Sequence, residues 1–399
     1  MPLSKTVNQE GGTPFPAPLN GVKVLVITSG HEATDQRVYA KQALSINRLG
    51  ANVTVVGKLE RSTPGAVPVL TLPGPSSRLT RFLWQPWRCL WTARRQDADI
   101  IHFHDAEMLI TLPLAKLWWS KSKFVYDVHE DFANLMLIRD WLPTWVKPVV
   151  RILLNKIEKG LALLADAIVG VTPPLAEKFP NRNKIVAYNY ISGDFFDQAS
   201  KTRRQAQTRE FDLVHLGTLN SKRATFLADT IREFHRLRPG ARSMVIGVTS
   251  EFQDVFKTRV PNHCVLLGKT PHEEIPKLLG NAKIGLDVHP WLAPHLEVAV
   301  PVKVCEYMAS GCAVVCSAMP VLTQILTAAK ADPGTLTVIN GGSPIEYAKA
   351  AVRTIEAIER GDDPGSDLHK LAVGHMTWEG EATKIARLYL QLLGQPCVI

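Results

Sequence analysis

From residue 22 onward, short runs of β-branched residues alternate with amphipathic stretches. VKVLVIT (22–28) is apolar at both alternating positions from Val24 to Ile27, the pattern of a strand buried on both faces. Asp35 is placed to cap a helix whose Tyr39, Ala43 and Ile46 share one face. Gly50 ends that helix, and NVTVVG (52–57) returns to strand. The unit recurs at DIIHFH (99–104), FVYDVH (124–129), DAIVGV (166–171) and KIVAYNY (184–190), each bordering a helical stretch. Alternation of this kind predicts an α/β fold with a parallel sheet covered on both faces.

The pattern pauses at SGDFFDQASKTRRQAQTREF (192–211), a polar and charged segment that reads as a linker. It restarts with DLVHLG, SMVIG, CVLLGK, KIGLDVHP, AVVCS and LTVIN, and closes with the helical EGEATKIARLYLQLLG. The expected organisation is a flexible tail (1–20), a first Rossmann-like domain (21–195), a linker (196–210), a second such domain (211–375) and a closing helix (376–399) returning to the first. A chain of 399 residues is long enough for two cores. Two doubly wound halves facing each other make a cleft lined by the carboxyl ends of their strands.

Composition narrows the function. Six scattered cysteines without a C-x-x-C pair fit a reduced, cytoplasmic setting. The polar, Pro- and Gly-rich beginning has no apolar signal core, and no run is long enough to span a bilayer. The formal net charge of +9 suits phosphate-bearing substrates or anionic lipid. No zinc-finger spacing, RNA-binding aromatic motif or Lys/Arg block accompanies it, so nucleic acid is not an expected partner.

The residues following the strands are unusually polar. They are Gly30, His31, Asp35 and Arg37 after the first strand, then His102, His104 and Asp105, then Asp127, His129 and Glu130. In the second half they are Gly217, Lys222 and Arg223, then Gly268 and Lys269, then His289. One such residue alone is more often a cap or a satisfied loop group. Six sets at the same strand ends favour a site. PVKVCEYMASGCAVVCS (301–317) belongs with them: Pro301 suits a helix start and Gly311 a helix end. The positive end of that helix is a seat for a diphosphate. Lys303 in its first turn is unfavourable there unless an anion is present. Glu306 can accept two hydrogen bonds from a vicinal diol such as a ribose, or serve only as an acid complementing the dipole.

This segment resembles the P-x-K-x-x-E-Y-M-A-x-G signature of the family 4 retaining glycosyltransferases of the GT-B fold. TSGHEATDQRVYAKQALSINRLGANVTVV, ADIIHFHDAE, VYDVHEDF, LGTLNSKR, LGKTPHEEIPKLL, KIGLDVHP and MTWEGEATKIARLY resemble further pieces of the same family in the same order. The resemblance implies two Rossmann-like domains facing across a cleft. It also implies sugar transfer from a nucleotide-diphosphate sugar to a glycan or lipid-linked acceptor, with retention and without metal or other cofactor. Surface polysaccharide or glycolipid would be the product. On the donor side it implies Gly30, Gly217, Lys222, Arg223, Lys269, His289, Lys303 and Glu306, with Glu306 on the ribose and Lys222 and Arg223 on the diphosphate. On the acceptor side it implies His31, Arg37, His102, His104, Asp105 and Glu130. His129, Arg223 and Glu297 would form the catalytic set, His129 by positioning the donor and Glu297 at the sugar hydroxyls. Two departures stand out: eight residues separate Glu297 from Glu306 where the family has seven, and Thr218 replaces a usual arginine.

Other signals carry less. Asp97-Ala98-Asp99 spells a metal motif of a different transferase fold but precedes a strand, at the end away from the cleft. Asn52-Val53-Thr54 is a glycosylation sequon inside a strand. His102 and His104 alternate on one strand with no third ligand at sensible spacing. In RLTRFLWQPWRCLWTARR (78–95), Leu79, Phe82, Leu83, Trp87, Leu90 and Trp91 make a helical stripe bordered by arginines. It reads equally as a sheet-covering helix or as one resting on an anionic membrane, which would place the enzyme on the inner face of a membrane. Two alternatives remain beside the transferase: a nucleotide-sugar epimerase of the same fold and a silent sugar-nucleotide-binding subunit.

Overall fold

Two parallel sheets divide the chain in the computed structural model, which describes residues 17–59, 65–75, 77–138, 142–289, 294–332 and 335–397. The first holds β1 (Lys23–Glu32), β2 (Asn52–Lys58), β3 (Val69–Leu72), β4 (Ile100–Phe103), β5 (Lys123–Val128), β6 (Ala167–Gly170) and β7 (Lys184–Val186), in the order β3-β2-β1-β4-β5-β6-β7. The second holds β8 (Phe211–Leu216), β9 (Ser243–Ile246), β10 (Val265–Leu267), β11 (Ala282–Asp287), β12 (Ala313–Ser317) and β13 (Leu336–Ile339), in the order β10-β9-β8-β11-β12-β13. Valine, isoleucine and leucine fill both faces of the central strands, which explains their unbroken apolar runs. β3 escaped the sequence pattern. It is an edge strand of four residues between Pro68 and Pro73, too short to show a period.

Each sheet is covered on both faces. On one face of the first sheet lie the helices Gln85–Ala93, Leu112–Trp118 and Lys147–Ala162 with the apolar cluster around Phe103, Phe124 and Tyr126. On the other lie the helix beginning at Gln36 and the last helix, Trp378–Leu392. That last helix crosses back from the second half: the Trp378 indole donates to Lys41 O at 3.0 Å, and the Tyr389 hydroxyl meets His102 Nδ1 at 2.6 Å. The chain passes between halves twice, side by side, where Ile191 N–H donates to Met376 O and Trp378 N–H to Ile191 O.

The segment 196–210, polar in sequence, is not simply extended. Gly193–Thr202 is a helix that buries Phe195, Phe196 and Ala199 in the core of the second half. The other seven residues of the helix are polar or glycine, which hid the period of those three. Of the tail, residues 1–16 lie outside the described residues. The arginine-bordered stripe breaks at Trp84 into Arg78–Leu83 and Gln85–Ala93. Leu90 faces the sheet, whereas Leu83, Trp87 and Trp91 face outward; the side chain of Leu79 lies outside the described residues. No helix among the described residues is long and apolar enough to cross a membrane.

Candidate functional site

Strand order reverses between β1 and β4 in the first sheet and between β8 and β11 in the second, and at such switch points an open sheet leaves a crevice beyond its strand ends. On the first side, Asp105 organises the crevice. One of its oxygens accepts from Thr28 Oγ1 (2.6 Å), Ser29 N (2.8 Å) and Gly30 N (3.0 Å), while the other meets His31 Nδ1 at 2.7 Å. Burial opposes charge on both partners, but their mutual bond prevails. It holds the Asp105 carboxyl well below the usual range and raises the His31 imidazole to about 9. A protonated His31 donates from Nε2, and the group it meets is His129 Nε2 at 3.4 Å. The other ring nitrogen of His129, Nδ1, lies 3.8 Å from Asp127.

Beneath them Arg37 grips Asp127 with Nε (3.2 Å) and Nη2 (2.9 and 3.0 Å), both residues buried. Arg37 reaches this depth because its helix opens on π-helical turns, Gln36–Ala43, capped by Asp35. His102 is held by Gln42 and Tyr389, and burial lowers the basicity of His102 and His104 despite nearby Asp127. Asp127 supplies the third group beside His102 and His104 that spacing alone did not offer, since it arrives from a different strand. His31, Asp105 and His129 form a second cluster of the same kind, with ligand atoms in each cluster within 4.8 Å of one another. Arg37 on Asp127 and Tyr389 on His102 already occupy the groups a cation would need in the buried cluster. Among the histidines of these two clusters, His104 alone keeps both ring nitrogens without a hydrogen-bond partner.

In the second half the hub is Asp287, at the end of β11. Arg223 Nη2 lies 3.2 Å from it, Lys303 Nζ 3.3 Å and His289 Nε2 3.2 Å. Burial would raise the Asp287 carboxyl, but Lys303, His289 and Arg223 hold it well below the usual range. Burial also lowers the Lys303 ammonium, with Asp287 working against it. Lys303 opens the helix Val302–Ala309, so the anion its position demanded is supplied, in part, by the chain itself. Gly217 sits at φ +121°, and a Cβ there would approach Lys303 Nζ to 3.0 Å. Asn220 caps the helix Ser221–Leu237 through the Arg223 N–H at 2.9 Å and so aims Arg223 inward. Tyr307 fixes the base of the crevice: its hydroxyl accepts from Leu216 N–H at 2.7 Å and donates to Leu286 O at 3.3 Å. Its ring lies where a Cβ on Gly285 would be.

Glu306, almost buried, bonds His272 Nε2 at 2.8 Å. Lys41, from the first half, is within electrostatic reach; burial lowers its ammonium to about 8 while Glu306 opposes that shift. The loop before the helix also reaches across, where Thr172 Oγ1 donates to Val298 O at 2.7 Å. The structure thus gathers Gly30, His31, Asp105 and His129 on one side and Gly217, Arg223, His289, Lys303 and Glu306 on the other. Arg37, His102 and His104 are buried behind the first group. Glu130, Lys222, Lys269 and Glu297 are exposed. Asp287, His272 and Lys41 were missed by sequence reasoning. Asp287 was visible as an acid ending an apolar strand two residues before His289. Lys41 was visible as a cation four residues after Arg37 on the same helix. His272 had no signal beyond lying near Lys269. Asp97 pairs with Lys23 at 2.6 Å, at the opposite end of the sheet from these groups.

Residues 20–187 match the model of Glycosyltransferase Family 4, and residues 210–357 match that of Glycosyl transferases group 1. No curated protein matches the sequence. Among solved structures the chain is similar to sucrose-phosphate synthase of Thermosynechococcus elongatus, at 14% identity over 94% of this chain and 99% of that one, with a TM-score of 0.67. It is similar also to Anabaena HepE in complex with UDP-glucose, at 16% identity over 91% and 98% of the two chains and a TM-score of 0.65. A trehalose-phosphate synthase (UDP-forming) from Burkholderia xenovorans, in complex with glucose-6-phosphate, gives 12% identity over 93% and 100%, with a TM-score of 0.65.

Proposed function

The chain is a glycosyltransferase of the GT-B fold, one glycosyltransferase domain in each half, and we propose that it moves a sugar, with retention, from a nucleoside-diphosphate sugar to a lipid-linked or glycan acceptor. The observation that carries this reading is the meeting of Arg223 and Lys303 at one buried carboxylate, Asp287, beside the N-terminus of Val302–Ala309. Two cations and a helix end against a single carboxylate leave net positive charge where a diphosphate would lie. Glu306, one turn further, is placed for a ribose diol, with His272 as its resting partner. The HepE structure, whose ligand is UDP-glucose, is the reason to test UDP first.

Cleavage of the bond between the sugar and the diphosphate leaves negative charge on the leaving group and an oxocarbenium-like sugar. Arg223, Lys303 and the helix end are preorganised to stabilise that charge. Retention without a carboxylate nucleophile requires attack on the leaving-group face, a β-phosphate oxygen taking the acceptor proton. On the acceptor side His129, held between His31 and Asp127, orients the reacting groups. The products, a surface polysaccharide or glycolipid, fit an enzyme working beside the inner face of a membrane.

The test is a thermal-shift titration with UDP, GDP, ADP and CMP, repeated with Glu306→Ala. We expect one nucleoside diphosphate to stabilise the protein and the variant to bind it about tenfold more weakly, the effect of losing charge-assisted hydrogen bonds. No stabilisation by any of the four would remove this reading and leave the fold alone.

A further inference from the structure

Outward apolar residues are unevenly distributed over the molecule. Among the described residues, nearly all the large exposed ones lie between Leu83 and Leu164, and Val373 is the exception. They stand on the helices covering one face of the first sheet. Trp91 meets Trp118 across two of these helices at 5.8 Å, and Lys116 reaches Asp166 just past the third. The third, Lys147–Ala162, buries only Glu158 and Ala162, and leaves Val149, Ile152, Leu153 and Ile157 in solvent. Its charges outside the core are all basic, Lys156 exposed and Lys147, Arg151 and Lys159 half-buried, because its one acid, Glu158, is turned inward to Tyr126 and Lys178.

Under this helix is an apolar cavity of about 270 Å³, walled by Phe82, Ile110, Phe132, Met136, Val150 and Leu154. Both acids in its wall are paired, Glu107 with Arg81 at 3.2 Å and Glu158 with Lys178 at 2.7 Å. Arg81 also lies against Gly30, beside Asp105, so one guanidinium stands between the cavity and the crevice that holds His31 and His129. A cavity this dry would take a hydrocarbon chain, and the cations around it would take an anionic head. A second copy of the chain would bring the same cations against each other.

We propose that this cavity binds the hydrocarbon chain of a phosphate-bearing lipid, the acceptor carrier, with Arg81 at the phosphate and the outer face of Lys147–Ala162 on the bilayer. The proposal rests on the reading of the chain as a transferase to a lipid-linked acceptor. It explains why the exposed apolar residues described concentrate on the acceptor half: the chain enters from the bilayer, and its head emerges next to His31.

The test uses the full chain and a pyrene-tagged hexadecyl phosphate below its critical micelle concentration, with butyl phosphate as the short-chain control. Binding should be saturable with the long chain and undetectable with the short one. It should weaken at least about tenfold in Val150→Trp, which fills the cavity, and in Arg81→Gln. UDP stabilisation measured on Val150→Trp shows that the variant is folded, and it reports donor binding separately from lipid binding. Equal binding of the probe by Val150→Trp and wild type overturns the proposal, as does binding of butyl phosphate with equal affinity. A stable dimer in light scattering that dissociates on Ile157→Asp would also overturn it, assigning the face to a second copy.

Discussion

Both halves place buried carboxylates at the ends of strands flanking a switch point, yet they use them in opposite ways. In the first half each carboxylate is saturated: Asp127 takes a two-pronged guanidinium, with both side chains no more than 4% exposed, and Asp105 takes four bonds from the end of β1, Thr28 to His31. In the second half one carboxylate faces two cations through single contacts of 3.2 and 3.3 Å, and the cations are 15% and 16% exposed. Forked, desolvated geometry fixes a frame. A surplus of loosely tied positive charge makes an anion site. The same residue types, at equivalent places in the same fold, therefore hold shape in one half and await a ligand in the other.

The sharpest way to break that contrast is to remove one cation from each half. Arg37→Met strands Asp127 in the core, and we expect a stability loss of about 3–5 kcal/mol in urea unfolding, the usual cost of an uncompensated buried charge. Nucleotide binding at low temperature should persist, since Arg37 lies behind the crevice. Lys303→Met should do the reverse. Asp287 keeps Arg223, so the melting temperature should fall by only a few degrees, while turnover falls about 10²–10³-fold, roughly 3–4 kcal/mol of leaving-group stabilisation. If Lys303→Met unfolds as easily as Arg37→Met and leaves UDP binding intact, the second half is framework as well.

Local patterns made most of the strands legible: buried parallel strands are continuous apolar runs, and all six in the second half stand at the segments their runs mark. β3 was illegible because four edge residues between prolines show no period. The helix in 193–202 was illegible because its buried phenylalanines sit among charges. Of the site, Lys303 and Glu306 stood out because a helix start with both charges is unusual. The role of Arg37 did not stand out, since its partner Asp127 is 90 residues away. Asp287 was visible as an acid ending a strand, but its role was hidden for the same reason, as only folding brings Arg223 and Lys303, from either side in sequence, onto one strand end. Pairings across a sheet are set by topology, which residue spacing does not encode.

A subtler contrast lies in protons. Asp105 raises His31 to about 9, whereas burial lowers His289 even though Asp287 opposes it. A histidine whose folded pKa exceeds its unfolded one binds its proton more tightly in the fold. His31 should therefore contribute its full stabilisation below about pH 6.5 and lose it as pH rises through about 9. His289, neutral above about pH 6.5 both folded and unfolded, should contribute a constant amount across the same window. We expect the stability difference between wild type and His31→Gln, from urea unfolding, to shrink by roughly 2 kcal/mol or less over that range. That between wild type and His289→Gln should stay level. A flat curve for His31 would mean that its bond to Asp105 is an ordinary neutral one. His129 would then be free to hold its proton on either nitrogen, because nothing would donate to its Nε2. A falling curve for His31 alone would show that the first half keeps a protonated imidazole against His129 at neutral pH, and that the frame carries charge in the crevice even though its deeper ion pairs are closed.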